Sequence, residues 1–210
     1  MEWIIDFLKK GGPIMWPLIL CSIVSLAITI ERIFFWFGQN RRRSKDTIKQ
    51  IFLLTERGQF KQATKLAMST YDVTVRMLLA GLKNKAYGLK ENMEASAADL
   101  IDRMKRGLKI LNTIITMSPL LGILGTVIGI IESFNILGIQ GIGNPKDVIG
   151  GMAQALITTA VGLSIALITL VPYNYFIHRV QKTAKNIEQT GTLFETACKK
   201  GLENESKNRA

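Results

Sequence analysis

The chain has a single histidine and two cysteines among 210 residues, and neither type clusters with acids. A membrane-embedded enzyme would need grouped carboxylates or imidazoles within its apolar segments, and there are none. Residues 44–87 likewise contain no histidine, no cysteine and no glycine-rich phosphate loop. No catalytic residues, metal ligands or cofactor are therefore expected. Cys21 lies in an apolar stretch and Cys198 in a charged one, which separates them and leaves two free thiols rather than a disulfide. Charge is the most telling absence. Asp, Glu, Lys and Arg are all missing from residues 11–30, 110–131 and 148–178, windows of 20, 22 and 31 residues. A helix of about 20 apolar residues crosses a hydrocarbon core of about 30 Å, so each window is long enough to span a bilayer and a soluble globular domain is excluded.

What charge there is sits beside these windows. The chain holds 27 Lys and Arg against 16 Asp and Glu, a net +11, of which residues 38–109 supply +9 and residues 177–210 supply +3. Arg41, Arg42, Arg43 and Lys45 follow the first window. Arg103, Lys105, Arg106 and Lys109 precede the second, and Arg179, Lys182 and Lys185 follow the third. Basic clusters at these three window ends obey the positive-inside rule, which explains the charge better than a nucleic-acid partner does. The expected topology has a periplasmic N-terminus, a cytoplasmic C-terminus and anionic lipid at the cytoplasmic face. The start is mixed in charge and no small-x-small site precedes Glu31 and Arg32, so the first window is expected to be a retained span rather than a cleavable leader.

The fold class expected is an all-α integral membrane protein with three transmembrane helices. Residues 1–12 read as an amphipathic helix at the outer interface, with Trp3, Ile4, Phe7 and Leu8 at helical spacing. Residues 13–37 form the first span, 38–109 a cytoplasmic helical region, 110–137 the second span and 138–147 a short periplasmic loop. Residues 148–178 form the third span and 179–210 a cytoplasmic C-terminal helix and tail. Between residues 44 and 87 apolar residues recur every three or four positions, as in short packed amphipathic helices. From Leu89 only Gly107 interrupts the helical pattern before Pro119, so one helix is expected to run from the polar region into the second span. The third span is expected to continue through His178 toward Leu193. His178, Tyr173 and Tyr175 read as headgroup and interfacial contacts.

The second and third windows carry small residues on one face. Ser118, Gly122, Gly125, Thr126, Gly129 and Ser133 recur at steps of three or four, as do Gly151, Ala155, Thr158, Thr159, Gly162, Ala166 and Thr169. Lipid offers helices no hydrophobic drive to associate, so such stripes mark close packing or a pore wall. Gly122, Gly125, Gly129 and Gly162 are the packing candidates. At about 1.5 Å per residue, Thr126 lies about 9 Å and Thr159 about 13 Å below the outer end of its span. Two hydroxyls at similar depth on small-residue faces suit a polar path, although a membrane hydroxyl also bonds to the carbonyl one turn back. Thr158 is a further pore candidate, and Glu132 near the outer end of the second span reads as a solvated interfacial residue or, in a chain that assembles into a ring, as part of a cation-attracting outer mouth.

The block 119–131 with Glu132, Ser133 and Phe134, followed by Gly150, Gly151, Met152, Ala153, Gln154 and the run Thr158, Thr159, Ala160, Val161, Gly162, resembles the MotA/TolQ/ExbB proton-channel family. The Glu31 and Arg32 pair at the inner end of the first span also resembles that family. Three spans are similar to its ExbB/TolQ branch, the flagellar branch having four. The resemblance implies an inner-membrane homopentamer around a dimer of single-span ExbD/TolR-like subunits, driven by proton or sodium flow. The assembly would work a TonB- or TolA-like force transmitter. It further implies that Thr126 and Thr159 face the partner's membrane aspartate. Gln154 occupies a position where many ExbB-like members have glutamate, and an amide does not exchange a proton at any relevant pH. A passive membrane scaffold and a motility-type stator of the same family are the alternative readings.

The topology is directly testable. In a Cys21→Ser, Cys198→Ser background, a Gly141→Cys variant should react with a membrane-impermeant maleimide in intact cells and a Lys200→Cys variant only after permeabilisation. The reverse pattern would invert the assignment.

Overall fold

The computed structural model describes residues 11–41, 45–70, 72–84, 88–140 and 145–207. Residues 1–10 of the expected outer-interface helix at 1–12, and residues 141–144 of the expected loop at 138–147, lie outside them. Among the described residues the regular structure is entirely helical. The helices are α1 (Met15–Arg41), α2 (Lys45–Glu56), α3 (Phe60–Met68), α4 (Val73–Lys83), α5 (Leu89–Lys105), α6 (Leu108–Gln140) and α7 (Pro145–Lys207).

Three of them contain stretches long and apolar enough to cross a membrane: Met15–Gln39 in α1, Leu108–Gly138 in α6 and Val148–Ser206 in α7. Their exposed surface supports the same reading. On α1, Trp16, Leu20, Ile23, Leu26, Ile30, Phe34 and Phe37 form an exposed stripe, and on α7 Leu156, Leu163, Leu167 and Val171 do the same. A contiguous apolar face of this extent is not tolerated in water and is ordinary against lipid. The first span is the least buried of the three, at 17% of its most apolar window against 28% and 33%.

The chain divides into two compact units. The first takes its described residues from Met1–Arg32 and Gly107–Phe176, and thus holds most of α1, all of α6 and the first half of α7. Its apolar core is Met15, Leu18, Ile114 and Ile165, ringed by Cys21, Val24, Leu121 and Val161. Pro119 and Pro172 each lie inside a helix that continues past them.

The second unit comprises Ile33–Arg106 and Ile177–Ala210. Here the short helices α2 to α5 pack with the C-terminal half of α7, burying Ile51, Phe60, Val75, Met77, Leu78, Met104, Ile187 and Phe194. Phe52 meets Phe194 edge to face, with ring centroids 5.2 Å apart. Gly201 brings α7 against the α2 terminus, where a Cβ would collide with the Thr55 carbonyl, and the Asn204 amide donates to the Glu56 carbonyl at 2.9 Å. Asp72 caps α4 by accepting from the Thr74 N–H at 2.7 Å, satisfying one of the first-turn donors that a helix leaves open.

One expectation is corrected. The helix beginning at Leu89 does not run into the second span but ends at Lys105, and α6 starts afresh at Leu108. Arg106 is extended at ψ 135° and Gly107 sits in the left-handed region at φ +79°. A new hydrogen-bonded turn then opens with the Leu111 N–H on the Gly107 carbonyl at 3.1 Å. A glycine reaches that φ at no steric cost, which is why the break falls there.

A Cβ at Gly107 would also come within 3.0 Å of the Ile28 Cγ2. Gly107→Ala should therefore lower stability by about 1–2 kcal/mol, the usual cost of an L side chain in that region. Gly38→Ala, at an exposed helical position with open space around it, should be neutral or slightly stabilising. Thermal unfolding of the two purified variants in mild detergent checks the contrast.

Candidate functional site

The small residues of α6 and α7 lie against each other within the first unit. A Cβ on Gly122 would stand 3.0 Å from the Thr159 Cα and 3.1 Å from the Thr158 carbonyl oxygen. One on Gly129 would stand 2.9 Å from both the Ala155 Cβ and the Gly151 carbonyl oxygen. One on Gly162 would run into the Ser118 carbonyl, and one on Gly125 into the Thr158 side chain. Carbon atoms in comfortable contact keep about 3.5–4.0 Å apart, so at Gly122, Gly129 and Gly162 the two helices approach backbone to backbone, and a methyl group is excluded sterically.

Hydrogen bonds fix the register of this seam. The Thr159 hydroxyl on α7 donates across to the Gly122 carbonyl on α6 at 2.9 Å. At the outer end, the Ser133 hydroxyl lies 2.8 Å from the Gly129 carbonyl and 3.2 Å from that of Val148, bridging α6 to the start of α7. Ser118 and Thr169 are buried and bond one turn back within their own helices.

Thr126 and Thr159 come together, with hydroxyl oxygens 3.4 Å apart and both side chains half-buried. The Thr126 hydroxyl donates to the Ile123 carbonyl at 2.6 Å. Each threonine thus has a shorter bond to a main-chain oxygen than to its neighbour, and 3.4 Å exceeds the normal O–H···O range. A hydroxyl has one proton and two lone pairs, so with both protons placed on carbonyls the pair offers acceptor oxygens. Such a pair can receive a hydrogen bond from water or a protonated carboxyl, or a cation.

The other candidates are placed differently. Thr158 is buried at 2% exposure in the seam itself and donates to the Ala155 carbonyl at 2.8 Å. Gln154 packs its carboxamide on Gly12, whose φ of +67° shapes the turn ahead of α1. Glu132 is exposed near the end of α6. Glu31 and Arg32 form a forked ion pair, with Arg32 Nε donating to Glu31 Oε2 at 2.7 Å. The arginine side chain is 4% exposed and the glutamate 58%. Among the described residues no group of three or more His, Cys, Asp or Glu could hold a metal.

The family model described as the MotA/TolQ/ExbB proton channel family matches residues 69–189, which include the whole α6–α7 seam. The chain belongs to the MotA/TolQ/ExbB proton channel family. Among its relatives in the ExbB branch, the ExbB-like protein 1 of Synechocystis sp. is 35% identical over 181 residues, covering 83% of this chain and 70% of that protein. The biopolymer transport protein ExbB of Salmonella typhimurium is 31% identical over 184 residues, covering 80% and 72%. Biopolymer transport protein exbB1 of Vibrio cholerae is 29% identical over 209 residues, covering 90% and 86%. Family membership and the three apolar helices together make this a multi-pass inner-membrane protein of the channel-subunit type.

Two contacts escaped the sequence reading. One is the packing of Gln154 on Gly12, for which residue spacing contains no signal. The other is in the second unit, where the Arg179 guanidinium carbon lies 5.4 Å from the centroid of the Trp36 ring. An aromatic residue closing one span and an arginine closing another were the available hint.

Because the seam is backbone on backbone, Gly162→Ala should cost about 1–3 kcal/mol by overpacking, whereas Gly150→Ala, which meets open space, should not. Unfolding of both variants in detergent, followed by circular dichroism, tests this. Equal stability of the two would contradict the seam.

Proposed function

We propose that this ExbB-family chain is the larger subunit of an ion-driven motor in the inner membrane, a homopentamer enclosing a dimer of single-span ExbD/TolR-like subunits. The observation that carries the reading is the Thr126 and Thr159 pair, drawn to 3.4 Å on a helix seam with both hydroxyl protons turned onto main-chain carbonyls. Acceptor oxygens in a membrane favour a partner that presents a proton or a cation, and a carboxyl on a neighbouring span is such a partner in its protonated form. The pair would hold the neutral acid and release it on ionisation, so that successive threonine pairs around a ring become stations for a titrating group.

The titrating group itself comes from another chain in this proposal. The charge-free windows contain no carboxylate, and Gln154 cannot exchange a proton. We assign Gln154 a packing role at the outer end and Thr158 a role in the seam, and keep Thr126 and Thr159 as the ion-pathway residues. Glu132, repeated around a ring, would attract cations to the mouth. The segment 38–109 and the C-terminal helix would lie in the cytoplasm, with Glu31 and Arg32 at the inner boundary and anionic lipid against the basic clusters. Ion flow would turn one ring against the other and deliver force to a TonB- or TolA-like protein.

A passive scaffold needs the glycine seam but not the hydroxyl pair. Thr159→Val keeps the volume and removes the hydroxyl. In proteoliposomes holding the complex with its single-span partner, the substitution should leave assembly intact and reduce ion flux about tenfold, the scale of one lost neutral hydrogen bond. Thr159→Ser should retain flux. Undiminished flux in the valine variant would leave the scaffold reading standing.

A further inference from the structure

The second unit contains a groove of about 550 Å³ between α5 and α7, with Met77 of α4 at its floor. One wall is Lys90, Met93, Glu94, Ala97, Ala98 and Ile101 of α5. The other is Ala184, Ile187, Glu188, Gly191, Thr192 and Glu195 of α7. Both sets advance by three or four residues, so each wall is one continuous helix face, about 17 Å long at about 1.5 Å per residue. Met77, Met93 and Ile187 are buried at the bottom, while the alanines and Gly191 keep the walls low. A Cβ on Gly191 would meet nothing nearer than Met77 at 3.6 Å, so the groove is open there to a closely approaching backbone.

Shape and charge select the occupant. A trough of that length between two helix faces matches about three turns of a third helix, whose apolar residues would enter at steps of three and four. The charged groups of the walls are Lys90, Glu94, Glu188 and Glu195. Glu94 lies 3.9 Å from Lys90, Glu195 lies 3.1 Å from Lys199, and Glu188 makes no ion pair among the described residues. Solvent-exposed pairs one turn apart contribute little and exchange with an incoming cation. Over residues 90–101 and 184–195 the acids are Glu91, Glu94, Asp99, Glu188 and Glu195 and the bases Lys90 and Lys185, the reverse of the balance in the whole chain. An acidic strip with an apolar floor suits a basic amphipathic helix. The chain's own short helices α2 to α5 already bury residues within the unit, which leaves a segment of another protein as the occupant.

We propose that this groove holds a basic amphipathic helix from the cytoplasmic flank of the single-span partner. Counted along α7 from Arg179, just past the third charge-free window, the groove runs from about 8 Å at Ala184 to about 24 Å at Glu195. A segment that leaves the membrane on this side passes through that range within its first turns. The positive-inside rule places Lys and Arg in the same stretch, within about 15–20 residues of the span. The inference rests on the cytoplasmic placement and the single-span partner of the proposed function. Neither the threonine pair nor ion flux enters it.

The test uses the complex of the full chain with its single-span partner, carrying the photoreactive p-benzoylphenylalanine in place of Thr192, an exposed groove position. Irradiation should cross-link the two chains, and mass spectrometry should place the linked residues in a Lys- or Arg-rich stretch on the cytoplasmic side of the partner's span. Ala98→Trp, which fills the groove from an exposed position on α5, should abolish the cross-link. Glu188→Lys should lower its yield about fivefold, the scale of one exposed ion pair. Glu203→Lys, an exposed acid on α7 outside the groove, should leave it unchanged. No cross-link, one to a second copy of this chain or to the partner's periplasmic side, or a yield undiminished by either groove variant would overturn the site. If the complex gives one of these results and still conducts ions, the groove is wrong and the motor reading stands. Failure of the unsubstituted chain to co-purify with any single-span protein would overturn both.

Discussion

The first unit depends on the approach of α6 and α7 to backbone contact. In a bilayer neither helix gains from hiding apolar side chains, because lipid solvates them as well as protein does. What remains is dispersion between closely fitted surfaces and hydrogen bonds that lipid cannot supply. Gly122, Gly129 and Gly162 provide the first by leaving no Cβ in the contact, and Thr159 provides the second by donating to the Gly122 carbonyl. Removing the Cβ atoms is therefore what brings a hydroxyl on one helix within reach of a carbonyl on the other. The same approach sets Thr126 beside Thr159.

A second constraint follows from the absence of charge. The three apolar windows contain no Asp, Glu, Lys or Arg, and in the proposed motor the same composition leaves the titrating carboxylate to another chain. Hydroxyls can hold or coordinate but cannot store a proton at neutral pH. In the proposed motor the carboxylate would come from a second chain. On that proposal a fixed acceptor pair on this chain and a mobile acid on the other would divide the work.

Much of this was legible in the residues. Length and apolarity locate the spans, since both derive from the thickness of hydrocarbon. Counting residues put Thr126 and Thr159 at similar depth, as two residues that touch across neighbouring helices must be, because helical rise is nearly constant. Other features were not legible. Gly107 could be read as a tolerated glycine inside a helix or as a stop, and the choice depends on its φ and on the Ile28 side chain facing it. Thr158 and Thr159 are adjacent and identical in type, and only the rotation of α7 against α6 decides that one is buried in the seam while the other is half open. Gln154 meets Gly12 and Trp36 meets Arg179 across long sequence separations, where periodicity has no information.

The central claim is that Thr126 and Thr159 border a water-containing path rather than lipid, and thiol reactivity measures this most directly. In the assembled complex with native cysteines replaced, Thr126→Cys and Thr159→Cys should react readily with a small water-soluble methanethiosulfonate, while Ile23→Cys and Leu167→Cys on the lipid-facing surfaces should be inert. If the two threonine positions react no faster than the lipid-facing ones, the pair does not line a pathway and the account is wrong.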